Sequence, residues 1–342
     1  MRFRRITAAV MAATTPLWAG TAGARQADGT LGVIVTPNNG APAFAAPGGT
    51  FEAELTKETP LRLGDGADAR ELAAEFTPLP GGGARALCRV PADTPPGLYA
   101  ISGGGDTTAR SVAVRAEFPE YYAFAHVSDV HIGKANRPQA PDAVFAALTA
   151  ELNGSGAAFA AVTGDLTESG EADQFRRFIG ILDTCTLPTV VCAGNHDRQG
   201  DNYERFFGPL TSRFTFGSDG YLVFDTKDFD TADGATAQDG LLHRFRRELK
   251  PCRWTFGLTH RYEPAMGMRA QLTLFVDDPL DGLFFGHIHR ELREGENIPW
   301  GRTAAWAVPA AVDGRYRMVD VTRQGPMPRA AARAGGETEK AE

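Results

Sequence analysis

The apolar positions change period near Phe118 and Pro119. Upstream, short runs such as LGVIVT, TFEAEL, ARALCRV and GLYAIS are separated by NNG, PGG, GDG, PGGG and SGGG. Period-two alternation bounded by turn residues predicts strands. Their spacing predicts a small all-β, immunoglobulin-like sandwich over residues 25–117. His, Cys, Asp and Glu do not cluster there, so no chemistry is expected of this unit. It reads as a spacer or packing module, or as a carbohydrate- or partner-binding one.

Downstream the pattern alternates between continuous apolar runs and helical periodicity. A strand at 121–127 leads to the helical stretch PDAVFAALTAEL. The strand AAFAAVTGD, the helix EADQFRRFIGILDT and the strand PTVVCAGN follow. This order predicts βαβ units and a largely parallel sheet covered by helices. Further strands are expected at YLVFDT, RWTFGLTH, GLFFGH, TAAWAVPA and RYRMVDV, which places an α/β domain over residues 118–322. The segment 323–342, RQGPMPRAAARAGGETEKAE, predicts a disordered tail.

The first residues depart from both patterns. MRFRRITAAVMAATTPLWAGTAGARQ has a basic start, a short interrupted apolar stretch and an A-x-A end at Ala24, and so predicts a signal peptide over residues 1–24. Arg4 and Arg5 leave both the general secretory and the twin-arginine route open. An exported, periplasmic or secreted protein is expected, with no transmembrane segment in the mature chain. Loss of Arg2, Arg4 and Arg5 takes the formal charge from −7 to −10. That balance argues against nucleic-acid binding and against a metal-dependent nuclease. Cys88, Cys185, Cys192 and Cys252 show no metal-binding spacing, and Cys185, Cys192 and Cys252 read as buried thiols, although export permits a disulfide.

The chemistry is concentrated where the downstream strands end. The first strand is followed by Asp129 and His131, the second by Gly164 and Asp165, and the third by Gly194, Asn195, His196 and Asp197. Later strands are followed by His260 and by His287 and His289. Five of the seven histidines in the chain lie in this set. In parallel sheets, ligands bind beyond the carboxyl ends of the strands. Each motif alone also suits a solvated turn or a helix cap, but their joint occurrence in order points to a metal centre. Carboxylate, amide and imidazole donors without thiolates suit Mn, Fe, Zn or Ni. Two cations sharing one carboxylate can activate a water and clamp the oxygens of an in-line displacement at phosphorus.

The ordered set DVH, GDLTESG, AGNHD, THRY and GHIH resembles the calcineurin-like metallophosphoesterase superfamily over roughly residues 120–322, and within it the bacterial cyclic-nucleotide phosphodiesterase-like branch. The resemblance implies an α/β fold, a four-layer double β-sheet sandwich flanked by helices. It implies two metal ions, divalent or mixed-valence Mn, Fe or Zn. One is held by Asp129, His131, Asp165 and His289, the other by Asp165, Asn195, His260 and His287. His196 would face the phosphate as catalytic acid, oriented by Asp197. Arg261 and Tyr262 depart from the pattern of many relatives. Only 26 residues separate His260 from His287, too few for a large cap. An open cleft is expected, with selectivity set by short loops including residues 198–207.

His126, inside the first strand, is expected to be buried and structural. His243, with Arg244, Arg246, Arg247 and Lys250, is expected on a solvated helix face. The resulting expectation is an exported dinuclear phosphohydrolase in which a metal-bridging hydroxide attacks a small-molecule or envelope-linked phosphoester, a diester in preference to a monoester. The competing expectations are a phosphomonoesterase and an envelope binding or adhesion protein whose catalytic domain is silent.

Overall fold

The computed structural model describes residues 28–226, 237–262, 268–293, 296 and 301–335. The expected signal peptide lies outside these residues, as does the segment 336–342.

Two sheets form the all-β unit. Strands Ile34–Thr36, Thr50–Leu55, Ala84–Arg89 and Ala73–Pro78 make one, and Ala43–Ala45, Asp106–Val114, Gly97–Gly103, Arg62–Leu63 and Arg70–Glu71 the other. Alternation does the work here. In Thr50–Leu55 every second side chain, Phe51, Ala53 and Leu55, is buried, and these meet Leu61, Leu63, Ile101, Val112 and Val114 in one core.

The second unit has four layers. Its first sheet is built on β1 (Tyr122–Val127), β2 (Ala160–Thr163) and β3 (Thr189–Cys192), which pair in parallel. The second sheet runs β4 (Ser212–Phe216), β5 (Asp219–Val223), β6 (Thr255–Leu258), β7 (Gly282–Phe285) and β8 (Ala304–Ala307), parallel from β5 onward. Strand β9 (Arg315–Thr322) returns antiparallel to β1. The two sheets face each other across a core of Phe124, Phe159, Phe216, Tyr221, Phe256 and Phe284. Helices α1 (Pro141–Leu152), α2 (Ala172–Leu182) and α3 (Asn202–Phe207) cover the outer face of the first sheet. Helix α4 (Ala237–Leu249) and the segment from α5 (Met268–Gln271) into the π-helical turn Leu272–Asp277 cover the second. Both faces of each parallel strand are therefore buried, which is why β2, β3, β6 and β7 are buried throughout and carry no polar residue other than a terminal threonine.

Three expectations change. Residues 323–335 are not a disordered tail: β10 (Gly325–Pro328) and β11 (Ala332–Arg333) pair antiparallel with β9. Pro326 and Pro328 conceal the strand from sequence, yet proline is tolerated on an edge strand because no donor is needed on its outer side. Arg246 is not on a solvated face. It is buried and donates to the carbonyls of Asp278 and Pro279. Residues 198–207 do not form a free loop, because Tyr203, Phe206 and Phe207 of α3 insert into the core and Arg198 pairs with Glu204 and Asp225 at 2.6 and 2.9 Å. His243 is exposed and His126 fully buried, as expected. The four cysteines are unpaired thiols.

The all-β unit docks on the edge strand β3. The Val191 amide donates to the Gly40 carbonyl at 2.8 Å, and the Asn38 side chain to the Phe207 carbonyl at 3.0 Å. Phe44 stacks on Phe214 and meets Phe159 and Phe216 edge-on.

Candidate metal centre

The parallel strands end together and their loops run side by side. Amides of Asp129, His131 and Ile132 donate to the carbonyls of Gly164, Asp165 and Leu166 at 2.9 to 3.0 Å, and the Glu168 amide returns to the Ile132 carbonyl at 2.9 Å. From the second sheet, the Gly286 amide donates to the His260 carbonyl and the His287 amide to Asp129 Oδ2. Two motif glycines permit this approach. A Cβ on Gly286 would lie 1.8 Å from Ser128 Oγ, and one on Gly194 would lie 2.1 Å from the Asp165 nitrogen.

These contacts gather the predicted residues. Asp129, His131 and His289 bring donor atoms within 4.8 Å of one another, and so do Asp165, His260 and His287. Asp165 Oδ2 links the groups, 3.1 Å from His260 Nε2, 3.7 Å from His131 Nε2 and 4.0 Å from His196 Nε2. His289 Nε2 is 3.1 Å from Asp129 Oδ1 and 3.4 Å from His131 Nε2. His260 Nδ1 is held by the Thr163 carbonyl at 2.8 Å, which directs Nε2 into the cluster.

The donor set fits two cations. Asp129 Oδ1 and Asn195 Oδ1 are buried acceptors without an aligned hydrogen bond, although His289 Nε2 and His260 Nε2 stand 3.1 and 4.0 Å from Asp129 Oδ1. Convergent acceptors packed without hydrogen-bond alignment are costly unless a cation satisfies them. Without a cation, burial works to raise the Asp165 carboxyl, but hydrogen bonding and charge from His260 outweigh it and hold it low. Burial likewise works to depress His260, and Asp165 overrides it and raises the imidazole. A metal bound at Nε2 would therefore compete with a proton there. His131 is depressed by burial, so its ring is neutral at pH 7.

Two placements differ from expectation. The hydrogen bonds of the Asp197 carboxylate do not go to the His196 ring. That fully buried carboxylate accepts from the amides of Leu166, Thr167 and Gly194 at 2.9 to 3.0 Å and from Thr167 Oγ1 at 2.7 Å. It is a pin between the loops after β2 and β3, because its backbone turn aims it at their amides. Burial and the charge of Asp165 push it up to about 6 against those donors. His196 Nδ1 instead contacts the Glu168 carbonyl at 2.6 Å, while its amide donates to Asp165 Oδ1 at 2.9 Å. The ring is 36% exposed and accessible from solvent. Glu168 itself was not singled out by its motif context. Its only signal was an acid three residues after Asp165. His126 Nε2 pairs with Thr163 Oγ1 at 2.9 Å, away from the cluster.

Comparison with known proteins agrees with this geometry. A family profile described as calcineurin-like phosphoesterase matches residues 122–291. The fold is similar to a purple acid phosphatase from yellow lupin (Lupinus luteus) seeds, with a TM-score of 0.53 at 11% identity over 84% of this chain and 70% of that one. A dimetal phosphatase from Danio rerio aligns with a TM-score of 0.42 at 10% identity over 60% of this chain and 98% of its own. No curated protein matches. Through residues 122–291, the chain belongs to the calcineurin-like phosphoesterases and is a metal-dependent phosphoester hydrolase.

Proposed function

We propose that this chain is an exported dinuclear phosphohydrolase that acts on phosphodiesters of small molecules or of the cell envelope. The observation that carries the reading is Asp165 standing between two donor groups with His196 half-exposed beside them. Asp129, His131, Asp165 and His289 would hold one cation, and Asp165, Asn195, His260 and His287 the other. Bound there, the cations would supply activation of a water nucleophile and neutralisation of phosphoryl charge.

The remaining work falls to the chain. The contact of His196 Nδ1 with the Glu168 carbonyl selects the tautomer protonated at Nδ1. Nε2 is then the atom that faces substrate. As imidazolium the ring gives the Nε2 proton to the departing alkoxide, and it regains one from water after the alcohol leaves. The amide bond from His196 to Asp165 ties the acid to the shared carboxylate, so ring and reaction centre keep one register. A diester suits an exposed site of this kind because its second substituent can project into solvent.

Purified protein loaded with Mn(II) should hydrolyse bis(p-nitrophenyl) phosphate faster than p-nitrophenyl phosphate. Asp165→Ala and His196→Ala should each remove most turnover. A wild type that binds two metal ions and hydrolyses neither ester would favour a binding role.

A further inference from the structure

We infer that Glu168 is a positioning residue that sets metal affinity through His131 while its main chain aims His196. Its carboxylate Oε2 lies 2.7 Å from His131 Nδ1, the ring nitrogen opposite the one that faces Asp165 and His289. The contact is a close polar one to a neutral ring rather than an aligned hydrogen bond, and Nδ1 has no hydrogen-bond partner elsewhere. The same residue's carbonyl receives His196 Nδ1 at 2.6 Å. One residue therefore holds both imidazoles by the nitrogen that points away from the reaction centre.

Its seat is rigid on both sides. The Glu168 amide is bound to Ile132, the preceding Thr167 amide to Asp197, and the following Ser169 amide to Gln174 Oε1 at 2.8 Å. Gln174 returns a bond to Ser169 Oγ at 2.8 Å. The carboxylate thus has little freedom to leave the imidazole.

Glu168, His131 and His196 also bring donor atoms within 4.8 Å of one another, so a third cation site has to be weighed. Lys134 decides against it, because its ammonium stands 3.2 Å from Glu168 Oε2 and already balances that charge. A carboxylate behind a metal-binding imidazole raises the basicity of the ring and fixes its orientation. Loss of such a partner typically lowers metal affinity about 10- to 100-fold.

This inference rests on the dinuclear reading of the site, and Mn(II) binding separates the two. Titration of metal-stripped full-length protein with Mn(II) against a competing chelator, with bound metal counted by elemental analysis, should give two ions for the wild type. Glu168→Gln should still bind two, one of them about 10- to 100-fold more weakly. Glu168→Asp should recover part of that loss. Denaturation of metal-free Glu168→Gln should match the wild type, because the side chain is 30% exposed and glutamine keeps a polar group of the same length against His131 Nδ1. Three results would overturn the inference: unchanged affinity at both sites, loss of one ion outright, which would make Glu168 a ligand, or an equal drop in metal-free stability. A wild type that binds no Mn(II) would instead defeat the dinuclear reading.

Discussion

Asp197→Asn separates two roles for the acid beside His196. If the carboxylate tuned the imidazole, the substitution would lower kcat and leave the fold intact. The structure assigns it four donors, all buried: three main-chain amides and Thr167 Oγ1. An asparagine oxygen can serve two of them, and its amide then faces the others donor to donor. Hydrogen bonds to a charged group contribute about 1.5–3 kcal/mol each, so two lost bonds destabilise by about 3–6 kcal/mol. Alanine strands all three amides, each at about 1–3 kcal/mol, for a total of about 3–9 kcal/mol. Urea denaturation of metal-stripped protein is the assay, because bound metal would add its own linkage to the midpoint. A shift in midpoint at constant m reports stability alone. A midpoint within about 0.5 kcal/mol of wild type, together with a large fall in kcat, would refute the pinning role and restore the catalytic one.

Other consequences follow from single features. Gly286→Ala places a methyl 1.8 Å from Ser128 Oγ and 2.5 Å from Asp129 Oδ2, so it should lose bound metal on dialysis while keeping its far-UV circular dichroism. His126 is depressed by burial to about 3, with Arg317 adding to the effect. Its folded pKa lies below the unfolded value, so the stability it contributes is complete above pH 6.5 and is lost as pH falls toward 3, at up to about 1.4 kcal/mol per unit. His126→Gln should remove that slope from urea midpoints measured across this window. His289 has φ of 57° and a side chain 40% exposed, so His289→Gly should be more stable than His289→Ala by about 1 kcal/mol in metal-free protein. Phe44→Ala removes three ring contacts to the second unit and should make the segment joining the two units more sensitive to limited proteolysis, with metal binding unchanged.

The strand ends were legible because the local code is strong there. A buried parallel strand is a short apolar run, and a polar cluster straight after it has few structural uses. That logic reached Asp129, His131, Asp165, Asn195, His196, His260, His287 and His289 together. It failed where the deciding contact joins distant segments. Asp197 sits beside His196 in sequence, but its carboxylate turns toward amides 30 and 31 residues away. Glu168 matters because His131 stands behind it, 37 positions earlier. Arg246 reads as one more charge on a basic helix, and its burial is explained by the carbonyls of Asp278 and Pro279 and by the Asp278 carboxylate 3.4 Å away. Arg110 is hidden in the same way. It lies in the strand Asp106–Val114, yet it crosses to the Leu187 carbonyl ahead of β3 and to Thr189 Oγ1 at the start of that strand.

Backbone strain connects the fold to the proposed chemistry. Seven non-glycine residues have positive φ among the described residues, and five of them are Asp129, His131, Asp165, His287 and His289. Such conformations cost about 1–3 kcal/mol each and persist where surrounding contacts over-determine them. Five together approach the whole net stability of an ordinary domain, about 5–15 kcal/mol. The compensation is visible in the same loops: the amide ladder from 129–132 to 164–166, the Asp197 pin and the close approach at Gly286 and Gly194. The strained turns place these five donors in two neighbouring groups, so cations held there would meet a geometry already assembled. The all-β unit extends the same support, since it covers the open edge of β3, the strand that carries Asn195 and His196.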